Sequence, residues 1–511
     1  MIAGPVIGFT GFPQGLDQYH YAAYIQALWR SPTGVTYAYP FALWWEAPPV
    51  LFHLPFLVLA WVGRITGLPL AFELMRVAGS AATGAALAGL SLQLFRRTPW
   101  AAWLLGMVAA GGAWFWIAVS FHAAKISGAA GFTEPWAYLR LAMGPFFSWL
   151  PFVGQNVVYP LECFYHALVI GCLWCLISRQ YFAAYAINLA TWLSNPFPSL
   201  SLNSAVVPWL AFQSVASGSR ASRREAGCWL GLWVTAGLAA YGYYHLFLGQ
   251  WEITREAARL HIRPLASPPT MLQSLCLLMP FSVGLFWSVA SRAGRHHIWG
   301  KAAWSLFAML ALSQIAILHH GHWFGERAFQ PYHFNRGYLH MGLCVIFLRC
   351  LIVITRRPRL VPRWCVVLML TVFPDQALWL TQYVLTPQTA GLADRDSIEA
   401  VTALSRIPQR RIVVSDGYIT APLVSALTHH EPYNIPQSIF VPFAAERQRL
   451  LNKAMAESDI RFTDLGITLA VVMRDGRMHR ALLAEDWTQR SAYGFMVVLE
   501  APVESIPQAA Q

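Results

Sequence analysis

The chain has 511 residues, of which 56% are hydrophobic and 12% charged, with a mean hydropathy of +0.44. A soluble globule of this length carries roughly a quarter charged residues, so the composition excludes one and makes the bilayer the main solvent. The net charge of +12 comes almost wholly from arginines that fall between apolar segments, where they orient a membrane protein, and no nucleic-acid partner is expected.

Residues 1–47 are polar to aromatic, punctuated by Gly and Pro, and contain no span. No basic stretch followed by a short apolar core begins the chain, so no cleavable signal is expected and the first span carries the targeting information. Residues 48–68 are apolar but include Pro48, Pro49, His53, Pro55 and Arg64. Ten longer apolar segments follow at about 71–95, 99–121, 157–178, 180–195, 198–216, 227–248, 270–290, 300–318, 337–355 and 363–385, most near the ~20 residues that a span needs.

Alternating the connections gathers Arg96-Arg97, Arg179, Arg220 with Arg223-Arg224, Arg292 with Arg295 and Lys301, and Arg356-Arg357 with Arg359 and Arg363 on one side. The positive-inside rule makes that side cytoplasmic. A span at 48–68 would move Arg96-Arg97 outside, so this stretch reads as an interfacial or re-entrant helix and 1–70 as one outer loop. Residues 71–388 are the transmembrane bundle.

From 389 to 511 the composition turns polar. Residues 411–414, 467–472 and 495–499 read as strands, 420–428 and 443–456 as helices, with Pro432 and Pro436 as breaks. The fold class is thus an α-helical polytopic membrane protein of about ten transmembrane helices with a small C-terminal extracytoplasmic α/β domain. The eight cysteines lie in or beside apolar segments, which excludes a disulfide framework, and the CxxC spacing of Cys172 and Cys175 reads as small buried hydrophobes.

Asp17 is flanked by Gly11, Pro13 and Gly15, and Tyr19, His20, Tyr21 and Tyr24 follow at helical spacing. Its carboxylate suits a divalent metal or a proton from an acceptor hydroxyl; it equally suits the cap of a helix that begins at Gln18. Glu46, beside Trp44-Trp45, is either a second loop acid or the entry to the interfacial helix, and Glu134 before Pro135 is either a helix start or a functional acid. The densest polar cluster between spans, 318–336, includes Arg327, Tyr332 and Arg336. Two guanidiniums there suit a phosphate or pyrophosphate, with aromatics for a sugar or lipid. His319, His320 and His322 have metal-like spacing without a supporting Cys or Glu pattern and read as interfacial histidines. Glu73, Arg76, Glu162, His166, Asn195 and Asp375 are expensive in hydrocarbon and must face the bundle interior or a wet cavity.

Together, the Gly-x-Asp-x-x-x-Tyr loop, the Tyr/Pro stretch, the Ala47-Pro48-Pro49 helix entry, the span closing on Arg96-Arg97, the Ser194-Asn195-Pro196-Phe197 turn and the α/β tail resemble the GT-C-type integral-membrane glycosyltransferases, in a bacterial branch dependent on polyprenyl-phosphate sugars. The resemblance implies sugar transfer from a polyprenyl-phosphate-linked donor to a glycan, lipid or protein acceptor at the outer face of the bacterial inner membrane. It implies Asp17 as catalytic residue or ligand of a divalent cation such as magnesium or manganese, with Glu134 in support. Tyr19, Tyr21, Glu46, Arg327, Tyr332 and Arg336 then line the substrate site. The alternative is a catalytically inactive scaffold of the same architecture that binds or assembles lipid-linked glycan.

Overall fold

The structure, a computed structural model, describes residues 15–43, 45, 47–102, 105, 159–260, 279–318, 336–354, 394–416, 420–435, 441–456 and 460–502, with 15–18, 260, 279–280 and 318 described by backbone alone. The chain divides into two compact units, one of Met1–Glu73, Tyr244–His261 and Pro387–Gln511, the other of Leu74–Tyr243 and Ile262–Thr386.

In the first unit, helix α1 (Gly15–Arg30) is followed by α2 (Leu54–Thr66) and the start of α3 (Leu68–Leu94). At 13 residues α2 is about 20 Å long, short of the ~30 Å hydrocarbon core. Pro55 opens it, and Gly67 closes it at φ +81, a conformation glycine adopts without strain. α1 is buried nearly all round, because α2 covers one side and helix α13 (Thr420–Leu427) of the C-terminal region another. Trp29 donates to the Ala60 carbonyl at 2.9 Å on the α2 side. Gln26 donates to Ala426 at 3.2 Å, and Arg30 to Thr428 at 2.6 Å and His429 at 3.1 Å, on the other. The opening segment and the C-terminal region thus share one folded unit.

The C-terminal part carries α12 (Arg395–Leu404), α13 and α14 (Ala444–Ala456), the short α15 (Arg477–Leu483), and a five-stranded sheet. The strands are β1 (Ile412–Ser415), β2 (Glu431–Pro432), β3 (Ile467–Met473), β4 (Thr488–Tyr493) and β5 (Met496–Glu500), in the order β2-β1-β3-β5-β4. β2, β1 and β3 run parallel; β5 pairs antiparallel with β3, Val471 opposite Val498, and β4 pairs antiparallel with β5. β3 is apolar and buried through six residues, as a strand covered on both faces must be. Pro432, expected as a break, sits in edge strand β2: its neighbours Glu431 and Tyr433 donate to Arg411 and Val413, and the proline takes the position where no inward N–H is needed.

The second unit holds α4 (Pro160–Ile177), α5 (Tyr181–Trp192), α6 (Pro196–Ala216), α7 (Arg220–Tyr241), α9 (Met279–Ala290), α10 (Ala302–Leu318) and α11 (Tyr338–Ile354); α8 (Glu252–Leu260) belongs to the first. Among the described residues, α3 and α4 are long and apolar enough to cross a membrane. A third span results if Arg292–Trp299 and Ala302–Ile317, bent by 103°, count as one. Of the other expected spans, α5 has 12 residues, while α9, α10 and α11 each reach the edge of the described residues. The segment at 363–385 and most of 99–121 lie outside the described residues. The helices pack closely where side chains are smallest: Thr83 donates to the Cys163 carbonyl at 3.0 Å where Gly79 lets α3 approach α4.

Candidate functional site

Helix α1 is described from Gly15 to Arg30, and Asp17 lies in that described helical segment. Tyr19 is 1% exposed, and Tyr21 is half-buried against Phe56, ring centroids 5.6 Å apart. Below them Tyr24 stacks flat on Phe56 at 5.3 Å and directs its hydroxyl to that of Tyr39 at 3.3 Å. Tyr37, bridged to Leu51 through both backbone groups, places its hydroxyl 2.6 Å from His53 Nδ1. Burial pushes His53 down to about 4 and Tyr24 up to about 12, and holds Tyr39 well above the usual phenol range. His53 is therefore a neutral acceptor for the Tyr37 hydroxyl, and the cluster carries no charge at neutral pH. Its rings pack against one another and against α1, the helix that bears Asp17.

A second polar centre lies within the other unit. Arg336, 2% exposed, forms an ion pair with Glu162, 6% exposed, in the first turn of α4. The guanidinium also lies over the Tyr165 ring at 5.2 Å. One turn along α4, His166 Nδ1 is 3.0 Å from the Tyr338 hydroxyl, and Tyr165 is hydrogen-bonded to Asn195. Asn195 caps α6 by accepting from Phe197 N–H at 2.9 Å. Three helix N-termini, those of α4, α6 and α11, thus carry or flank this cluster, and their partial positive charge adds to that of Arg336. The anion that this cluster holds is the Glu162 carboxylate.

Of the residues expected to form a site, Asp17, Tyr19 and Tyr21 share α1, while Arg336 stands with Glu162 and His166. Glu46, Glu134, Arg327 and Tyr332 lie outside the described residues. Among the described residues no three His, Cys, Asp or Glu side chains gather as a metal site would require. Sequence reasoning missed Arg447, which is 1% exposed, donates to the Phe41 carbonyl at 2.7 Å and lies over Trp45 at 4.9 Å. A signal existed: Arg447 occupies the same face of α14 as buried Leu451 and Ala454, so a charge interrupts an apolar stripe. It also missed Arg349, whose guanidinium lies over Trp304 at 4.9 Å.

No protein-family model and no curated protein matches the sequence. Solved structures do. A crystal structure of the Archaeoglobus fulgidus oligosaccharyltransferase in complex with Zn and sulfate aligns at TM-score 0.53 and 11% identity, covering 96% of this chain and 70% of that one. The Archaeoglobus fulgidus oligosaccharyltransferase AglB with an inhibitory peptide and dolichol-phosphate gives 0.42 and 12%, over 96% and 71%. ArnT from Cupriavidus metallidurans bound to undecaprenyl phosphate gives 0.49 and 11%, over 96% and 95%. At this identity the likeness is one of fold, and the chain has the fold of GT-C-type glycosyltransferases.

Proposed function

We propose that the protein is an integral-membrane glycosyltransferase that moves a sugar from a polyprenyl-phosphate-linked donor to a glycan, lipid or protein acceptor. In this reading about ten spans cross a bacterial inner membrane, and the reaction and the C-terminal domain lie on its outer face. The observation that carries the proposal is the fold shared with an oligosaccharyltransferase across 96% of the chain.

The acceptor hydroxyl attacks the anomeric carbon and gives its proton to the Asp17 carboxylate. The bond from that carbon to the phosphate oxygen breaks with its electron pair on the phosphate, whose growing charge Arg327 and Arg336 stabilise without any protein nucleophile. Glu134 supports Asp17. Tyr21 offers its exposed edge to the substrate with Glu46 and Tyr332, and buried Tyr19 holds the helix behind it. The related oligosaccharyltransferase structure contains Zn; a divalent cation here would have Asp17 as its first ligand and would supply a Lewis acid for the leaving phosphate.

The test is label transfer from radiolabelled polyprenyl-phosphate sugars by purified protein. Asp17→Asn is expected to elute like wild type and to lose about 10²-fold or more in turnover, the scale of general-base catalysis. Wild-type turnover in Asp17→Asn removes the assignment.

A further inference from the structure

The Glu162–Arg336 pair has an arrangement that packing alone does not require. Arg336 adopts φ +40 and the next residue, Gly337, φ +83, directly before α11 begins at Tyr338. An arginine in the left-handed region is strained, and here its side chain ends on a carboxylate in the first turn of α4. Around that carboxylate stand the guanidinium, the start of α4 itself, the start of α11 with Tyr338, and the start of α6 through Asn195 and Tyr165. Without Glu162 this would be an unoccupied anion site, with a buried cation beside three positive helix ends.

A second observation points the same way. His166, fully buried one turn below Glu162, contacts Tyr338 through Nδ1, and its Nε2 has no hydrogen-bond partner among the described residues. The cluster thus keeps polar capacity beyond what its own members consume. Buried ion pairs are close to balance, because desolvation offsets most of the attraction. Another anion can therefore replace the carboxylate at small net cost, and a phosphate offers more acceptor oxygens to the planar guanidinium than a carboxylate does.

We infer that Glu162 is an internal counter-ion: it occupies the anion site and holds Arg336 while no donor is bound, and it yields Arg336 to the phosphate of the lipid-linked donor. Gly337 is the point about which Arg336 turns. This rests on the glycosyl-transfer reading, and it makes Glu162 a positioning residue that acts on donor affinity through Arg336.

The probe is polyprenyl monophosphate without sugar, bound to the full chain in phosphatidylcholine nanodiscs. Glu162→Gln removes the competing charge and keeps the shape, so it is expected to bind the probe about tenfold more tightly, while Arg336→Gln binds about tenfold more weakly. A merely structural Glu162 predicts the opposite sign. Glu162→Gln binding equal to or weaker than wild type, with Arg336→Gln weakened, overturns the counter-ion role and leaves the lipid-phosphate site standing. Equal binding by Arg336→Gln and wild type overturns the anchor and the counter-ion together, whereas the glycosyl-transfer reading falls separately, on Asp17→Asn turnover. If Glu162→Gln aggregates, Glu162→Asp draws the carboxylate back by one methylene and is expected to tighten binding about threefold; no gain overturns the proposal.

Discussion

Arg447 donates from Nη2 to the carbonyl of Phe41 at 2.7 Å, across 406 residues of sequence. Its guanidinium lies over Trp45, which in turn stacks on Phe443 at 4.2 Å and 14°. One buried cation thereby ties the opening segment to the C-terminal sheet and helices within one unit. Its Nε and Nη1 have no partner among the described residues, and burial lowers the guanidinium to about 10. Arg447→Ala leaves a cavity and an unpaired Phe41 carbonyl, a loss of about 2–4 kcal/mol. Arg447→Met fills the space without a buried charge and is expected to lose less than half as much. Thermal unfolding in detergent, followed by tryptophan fluorescence, ranks the two; equal stabilities would show that the guanidinium holds nothing.

His430 sets a pH dependence with a definite sign. Its Nδ1 accepts from the Arg411 N–H at 3.2 Å, so the ring is neutral and Nε2–H donates to the Leu404 carbonyl at 2.8 Å. Burial outweighs the hydrogen bond to the Leu404 carbonyl and, with Arg411 and Arg30 nearby, pushes the imidazole from 6.5 down to about 4. The unfolded chain binds the proton first, so this contribution is complete above pH 6.5 and is lost as pH falls through 4. A shift of this size is worth roughly 3 kcal/mol. His430→Gln keeps one donor and one acceptor without titrating. Its stability is therefore expected to fall less than that of wild type between pH 6.5 and 4; parallel curves would remove the assignment. His53 is lowered to about the same value and adds to the same window in both proteins.

What was legible in the sequence was what periodicity and composition encode locally. The helix at 420–428, the helix at 443–456 and the strand at 467–472 appear within a residue or so as α13, α14 and β3, because each carries its own apolar pattern. β4, Thr488–Tyr493, was not legible: it is a polar, mostly exposed edge strand whose only reason to be extended is its ladder to β5. The site residues divide in the same way. Glu162 and His166 stood out as expensive in hydrocarbon, but that Glu162 finds Arg336, 174 positions away, is tertiary information. Arg447 and Phe41 are hidden for the same reason: neither residue's neighbours in sequence show that the two meet.

Gly284 tests the packing of the second unit. A Cβ built there would lie 2.6 Å from the Phe347 Cα and 2.9 Å from its backbone nitrogen, and backbone cannot rotate aside as a side-chain tip can. α9 and α11 are in close contact at this point, and Phe281 and Phe347 meet edge to face at 5.4 Å beside it. Gly284→Ala must push the helices apart and is expected to cost about 1–3 kcal/mol. Helix propensity works the other way, since alanine is favoured over glycine by about 1 kcal/mol in a helix interior. Gly171→Ala isolates that gain, because among the described residues nothing lies within 4 Å of a Cβ at Gly171 of α4. The expected order of unfolding midpoints in detergent is Gly171→Ala at or above wild type and Gly284→Ala below it. If Gly284→Ala proves as stable as Gly171→Ala, α9 and α11 do not meet backbone to backbone at this position.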